Sequence, residues 1–111
     1  MHHFYYHHDK LFCENLPLDH IANEVGTPCY VYSSATLQRH FRVFDSAFSE
    51  IDHLICFSVK SNSNIAILSL FSSMGGGTDI VSSGELFRSL KAEVPPERIV
   101  YSGVGKRDED I

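Results

Sequence analysis

The residue with the plainest chemical use is Lys60, which closes the apolar run Leu54-Ile55-Cys56-Phe57-Ser58-Val59 and precedes Ser61-Asn62-Ser63-Asn64. Leu54 to Val59 reads as a buried strand, being short, rich in β-branched and aromatic residues, and bounded by turn formers. Lys60 is then expected at a strand's carboxyl end, the edge of an α/β fold where loops converge and chemistry is usually found. An amine at the rim of an apolar layer is partly desolvated, which disfavours the ammonium and eases attack on a carbonyl to form a Schiff base. The competing expectation is a lysine whose stem lies along the strand end while its charge stays in water.

Other residues that could do chemistry have simpler structural readings. His2, His3, His7 and His8, interleaved with Phe4, Tyr5 and Tyr6, form two pairs that could bind a metal. With neither a cysteine nor a helical period beside them, they read as a ragged polar terminus, and no metal site is expected. Cys13, Cys29 and Cys56 are odd in number and lack a Cys-x-x-Cys pair, as reduced thiols would be. Gly75-Gly76-Gly77 follows an expected helix rather than opening one, so no helix amides are aimed at a phosphate, and the glycines predict a helix-to-strand turn. Ser102-Gly103-Val104-Gly105-Lys106 fails as a nucleotide loop. That motif needs a glycine five positions before Gly-Lys and a hydroxyl after it, where Val100 and Arg107 stand.

The elements that position Lys60 follow from periodicity. Pro17 to Val25 places Leu18, Ile21, Ala22 and Val25 at helical spacing, with Pro17 in the first turn and Gly26 as the stop. Cys29-Tyr30-Val31-Tyr32 predicts a strand, confined by Pro28 to a start or an edge. Ser33 or Ser34 then caps a helix whose stripe is Leu37, Phe41, Phe44 and Phe48, with Arg39, His40, Arg42 and Asp45 on its solvated side. After Lys60, Asn62 or Ser63 caps a helix through Ile65, Leu68 and Phe71 that ends near Met74. Thr78 to Val81 is the next strand. Ser82 and Glu85 have capping-box spacing ahead of a helix with Leu86, Phe87 and Leu90 buried. Pro95-Pro96 breaks the chain before a strand from Arg98 to Ser102. Alternating strands and helices on short connections imply an α/β fold with a parallel sheet, either doubly wound or the opening of a barrel.

With 111 residues and a net charge of -5, the chain is at most one domain, mildly acidic and without a nucleic-acid footprint. A complete α/β barrel takes about 250 residues. No apolar run approaches a membrane span, and the start lacks a basic region followed by an apolar core. A cytoplasmic protein is expected.

Phe57-Ser58-Val59-Lys60-Ser61-Asn62-Ser63-Asn64, then Gly77-Thr78-Asp79-Ile80-Val81-Ser82-Ser83-Gly84-Glu85-Leu86, then Tyr101-Ser102-Gly103-Val104-Gly105-Lys106, resembles the start of the diaminopimelate decarboxylase family. These are pyridoxal-phosphate enzymes built on an alanine-racemase-like barrel, and the likeness runs from about Leu11 onward. It implies that residues 35–111 form the first helices and about three strands of an incomplete (β/α)8 barrel. Residues 1–34 would form an amino-terminal segment contributing the 29–32 strand to a β-domain. It implies that Lys60 holds pyridoxal 5'-phosphate covalently, and that Asp79, near the end of the next strand, lies by the lysine and cofactor. A carboxylate there orients the lysine ammonium, unless loop amides satisfy it. Glu85 fits the family pattern too, but reads first as a helix cap. The serines at 58 and 61 stand where alanine is common.

The activity implied is decarboxylation of meso-2,6-diaminopimelate to L-lysine, in a homodimer. The alternatives are a sister decarboxylase for ornithine, arginine or carboxynorspermidine, or a non-catalytic or truncated cofactor-binding protein. The family's glycine-rich phosphate loop, its acid on the pyridine nitrogen, its substrate-holding arginines and tyrosine, and its cysteine proton donor all lie downstream of the segment this sequence matches.

Overall fold

The amino-terminal aromatics make a hairpin, not a ragged end. The computed structural model describes residues 2–110, in two compact units that divide between Val43 and Phe44. In the first, β1 (Phe4–His7) pairs antiparallel with β2 (Lys10–Cys13), which pairs with the short β3 (Leu16–Pro17). The turn is His8-Asp9, with φ of 46° and 59°. Both residues are left-handed, as a two-residue type I′ turn requires, and Asp and His are among the non-glycine residues that tolerate this. Tyr5 stacks on Phe12 with ring centroids 5.7 Å apart.

Helix α1 (Leu18–Val25) starts directly after Pro17 and stops at Gly26, whose N–H bonds to the Ala22 carbonyl at 2.9 Å. Leu18, Ile21 and Ala22 are half-buried and Val25 is exposed. Helix α2 (Ser34–Ala47) is capped by Ser33, whose Oγ accepts from the Thr36 N–H at 3.0 Å. Its expected stripe is covered only in part: Leu37 and Phe41 are half-buried, whereas Phe44 is 54% exposed and Phe48, just past the helix, 39%. The strand expected at Cys29–Tyr32 does not form. Those residues pair with nothing among the described ones and Tyr30 is 91% exposed. A β-prone composition without a partner strand gives an extended segment only.

Glu14 ties this unit together. Its carboxylate accepts from the Ala35 N–H at 2.9 Å, from Ser33 Oγ at 2.8 Å and from Ser34 Oγ at 3.3 Å. The Ala35 amide, followed by the Ser33 hydroxyl, holds the Glu14 carboxyl below its ordinary value.

The second unit is a parallel sheet in the order β4 (Cys56–Ser58), β5 (Gly77–Ile80), β6 (Ile99–Tyr101). Helix α3 (Ile65–Ser73) connects the first two strands and α4 (Ser83–Lys91) the last two. Asn64 rather than Asn62 or Ser63 caps α3, accepting from the Ala66 N–H at 2.9 Å. At its far end Gly75, at φ 92°, takes the left-handed position, and the Gly76 N–H reaches back to the Phe71 carbonyl at 3.0 Å. The glycine run is therefore a helix stop. Ser82 caps α4 by accepting from the Glu85 N–H at 3.3 Å, and Glu85 Oε2 accepts from the Val81 N–H at 2.7 Å.

Val59, Leu68, Ile80, Ala92 and Val94 form the core, with Phe57, Leu86, Ile99 and Tyr101 packed on it. The buried face of α3 is Ile67, Leu68 and Phe71, with Ile65 at the edge. The expected face of α4 is corrected more strongly: Phe87 is 60% exposed and Leu90 48%, and the helix is seated through the fully buried Ser89. Small residues at 89 and 92 let α4 come close to β5 with Leu86 against the core, while Phe87 and Leu90 turn outward. No helix among the described residues is long and apolar enough to cross a membrane.

Gly77 opens β5 where a Cβ would lie 2.1 Å from the Arg98 carbonyl oxygen, whereas a Cβ on Gly105 would meet nothing within 4 Å. Gly77→Ala should therefore cost about 1–3 kcal/mol of unfolding free energy, while Gly105→Ala stays within about 0.5 kcal/mol; urea unfolding of both variants compares them. Equal midpoints would rule out the close strand approach. The Glu14 tie contributes stability above the ordinary carboxylate range, about pH 4.3, and loses it as pH falls through the lowered value. In an acid titration the Ala35 amide shift and the melting temperature should both respond in the wild type, and respond less in Glu14→Gln.

Candidate functional site

The sheet has two unlike faces. Side-chain alternation and register place Phe57, Thr78, Ile80, Ile99 and Tyr101 on the face packed by the helices. Cys56, Ser58, Gly77, Asp79 and Val100 lie on the other. That second face is small and polar apart from Val100, and it meets the Lys60 turn at the carboxyl ends of the strands.

Strand β4 is shorter than expected and Lys60 is not its last residue. The chain leaves Ser58 into a 3-10 turn, Val59–Ser61, closed by the Ser61 hydroxyl on the Ser58 carbonyl at 2.7 Å and by the Asn62 N–H on the Val59 carbonyl at 3.0 Å. Val59 is fully buried in the core and Lys60 is exposed. Leu54, expected inside, is 44% exposed. The expected partial desolvation of Lys60 is not observed: Val59 takes the core position, and the tight turn leaves its neighbour in water. Beyond the turn, Asn62 Oδ1 accepts from the Asn64 N–H at 3.0 Å, linking the lysine segment to the cap of α3.

Asp79 stands opposite Ser58 on one side and Val100 on the other. Its Oδ1 is buried and has no hydrogen-bond partner among the described residues, so described loop amides do not satisfy that oxygen. Cys56 shares its face. Burial, and then the negative charge of Asp79, push the Cys56 thiol up. Residue types alone do not single out Cys56; the signal available is parity, since residues 56 and 58 must share a face once 56–58 is a strand.

The fold thus brings an accessible amine and a carboxylate with an unused acceptor to one end of one sheet: Lys60 is two residues past Ser58, the partner of Asp79. Such a pair can bind a carbonyl carbon through nitrogen and hold an ammonium proton on oxygen. Glu85 is committed to its cap. Lys106 donates to the Gly103 carbonyl at 2.9 Å and lies over the Tyr101 ring. An apolar groove of about 520 Å³, lined by Ile80, Leu86, Leu90, Ile99 and Tyr101 among others, includes neither Lys60 nor Asp79. Among the described residues no group of three His, Cys, Asp or Glu side chains is placed to hold a metal.

The fold is a parallel α/β sheet with an exposed lysine just past the carboxyl end of its first strand. The profile of the pyridoxal-dependent decarboxylases, pyridoxal binding domain, matches residues 34–111, and the chain belongs to that family. Diaminopimelate decarboxylase of Haemophilus influenzae is 51% identical over 111 residues, which is all of this chain and 27% of that protein. A crystal structure of a protein from Aquifex aeolicus superposes with a TM-score of 0.89 at 45% identity, over 96% of this chain and 26% of that one. Diaminopimelate decarboxylase of M. jannaschii, crystallised with L-lysine, superposes at 0.90 with 27% identity, again over 96% of this chain and 26% of its own. The chain spans about a quarter of the length of these relatives.

The Asp79 charge adds to burial in raising the Cys56 thiol, so Asp79→Asn removes a charge that suppresses the thiolate. Alkylation of Cys56 at about pH 8 should then speed up roughly two- to threefold, with Cys29 unchanged in the same peptide map. An unaltered Cys56 rate would mean that the two groups are not neighbours.

Proposed function

We propose that this chain is the amino-terminal portion of a pyridoxal-phosphate-dependent carboxy-lyase that converts meso-2,6-diaminopimelate to L-lysine and carbon dioxide. The observation that carries the reading is the 51% identity, along the whole chain, to a protein named for that activity. The geometry supports it: Lys60 is exposed at the carboxyl edge of a parallel sheet, and Asp79 on the adjacent strand has a buried oxygen without a donor.

These two residues fit the aldehyde end of the cofactor. Lys60 Nζ would hold it through the aldehyde carbon. Asp79 Oδ1 would take a hydrogen bond from the lysine ammonium whenever the amine is free, keeping Nζ aimed at the sheet edge. The bound cofactor supplies an electron sink for the pair left when carbon dioxide departs. Val59 keeps the turn that carries Lys60 seated on the core.

In this reading β4, β5 and β6 are the first three strands of an eight-stranded barrel, and the face carrying Cys56, Ser58 and Asp79 is its interior; the sequential parallel order supports this. Residues 35–111 belong to that barrel. Residues 1–34 belong to the β-domain, through the β1–β3 meander in place of a strand at 29–32. The parent protein is a cytoplasmic homodimer acting on an amino acid.

The test is reductive trapping. After incubation with pyridoxal phosphate and borohydride, the adduct should map chiefly to Lys60 rather than to Lys10, Lys91 or Lys106. In the longer protein that contains this segment, Lys60→Ala should bring decarboxylation of diaminopimelate down to background. Equal labelling of all four lysines, or an active Lys60→Ala enzyme, would sink the reading.

A further inference from the structure

The segment that bears Lys60 lacks regular structure between Ser61 and Asn64 and is held mainly by short-range bonds. Ser61 to Ser58, Asn62 to Val59 and Asn64 to Asn62 each join residues no more than three apart. Bonds of that span fix the local shape of a turn, but they do not fix where the turn sits over the sheet. The buried Val59 anchors one end and the buried Ile67 and Leu68 of α3 the other. Between them Lys60, Ser61 and Asn64 are exposed.

Among the described residues, a bond reaches this stretch from elsewhere. Arg88 Nη1, on α4, donates to the Ser63 carbonyl at 3.2 Å across 25 residues of sequence. Its neighbour Ser89 is fully buried, so the arginine starts from a fixed point on a helix packed against β5. Ser63 directly precedes the α3 cap. The bond therefore ties both the path of the chain leaving Lys60 and the entry to α3 to helix α4, through an exposed guanidinium.

We propose that Arg88 is a positioning residue for Lys60, its guanidinium latching the segment after the lysine to α4 through the Ser63 carbonyl. This rests on the reading of Lys60 as the amine that holds the cofactor. Displacing a reacting group by about 1 Å can cost on the order of 10²-fold, so a tie that leaves global stability almost untouched still matters for the reaction.

Arg88→Met keeps the stem and removes the donors. Amide exchange of the whole chain, without cofactor, should quicken about tenfold at Asn62 and Asn64 and stay unchanged at Thr78 to Ile80. The rate of pyridoxal-phosphate trapping at Lys60 should fall severalfold relative to Lys10 and Lys106 in the same digest. A merely structural arginine would move the strand amides or all lysines together. Wild-type exchange at Asn62 and Asn64, or an unchanged ratio of Lys60 to the other lysines, overturns the latch. A wild-type chain that shows no preference for Lys60 instead overturns the reading of the lysine, while the exchange comparison still reports whether the tie exists.

Discussion

Everything chemical in this chain depends on Val59 being buried while the next residue is not. A buried valine contributes about 1.5–3 kcal/mol, and here it joins Leu68, Ile80, Ala92 and Val94 in a core small enough that no member is dispensable. In a 3-10 turn successive side chains point about a third of a turn apart. Seating Val59 therefore settles where Lys60 can go, and the Ser61 hydroxyl on the Ser58 carbonyl keeps the turn from unwinding into a longer strand. The position of the lysine backbone is thus set by its neighbours in the turn.

The two faces of the sheet divide the work. The helix-packed face carries the apolar side chains, and the opposite face carries the groups that can accept or donate protons. An unpaired buried acceptor costs roughly 1–3 kcal/mol, and Asp79 retains one. Thr78 and Ser89 also hold buried hydroxyls without partners among the described residues, on the packed side, where small residues permit the close approach of α4. The Asp79 oxygen differs in lying on the opposite face, the one that also carries Cys56, and across from Ser58.

Much of this was legible in the residues, because caps and punctuation act locally. Ser33, Ser82, Gly26 and Gly75 start or stop helices as their types predict, and the strands at 56–58, 77–80 and 99–101 fall inside or near the expected runs. What was not legible depended on partners. The hairpin at Phe4–Cys13 turns on His8-Asp9, which lacks the glycine that usually marks such a turn. The segment 29–32 has strand composition but no described strand to pair with. Phe87 and Leu90 have helical spacing, yet which face of α4 is buried is set by Ser89 and Ala92, whose small size reads as neutral in a sequence. At the site, the lysine was found from its position after an apolar run and Asp79 from a resemblance. Neither the exposure of Lys60 nor the closeness of Cys56 to Asp79 could be read before register and turn geometry were known.

Register also explains why core and site cannot drift apart. A strand slipped by one residue sends every side chain to the opposite face. Such a slip in β5 would carry Asp79 into the helix-packed layer and expose Ile80, losing a buried side chain and gaining a buried charge at once. Gly77 guards against this from the far end of the strand, because its missing Cβ is what lets the chain at Arg98 approach, and Thr78 then pairs with Ile99 and Asp79 with Val100. The pairing that stabilises the sheet is thus the same pairing that keeps Asp79 on the face of Cys56 and Ser58 and out of the helix-packed layer.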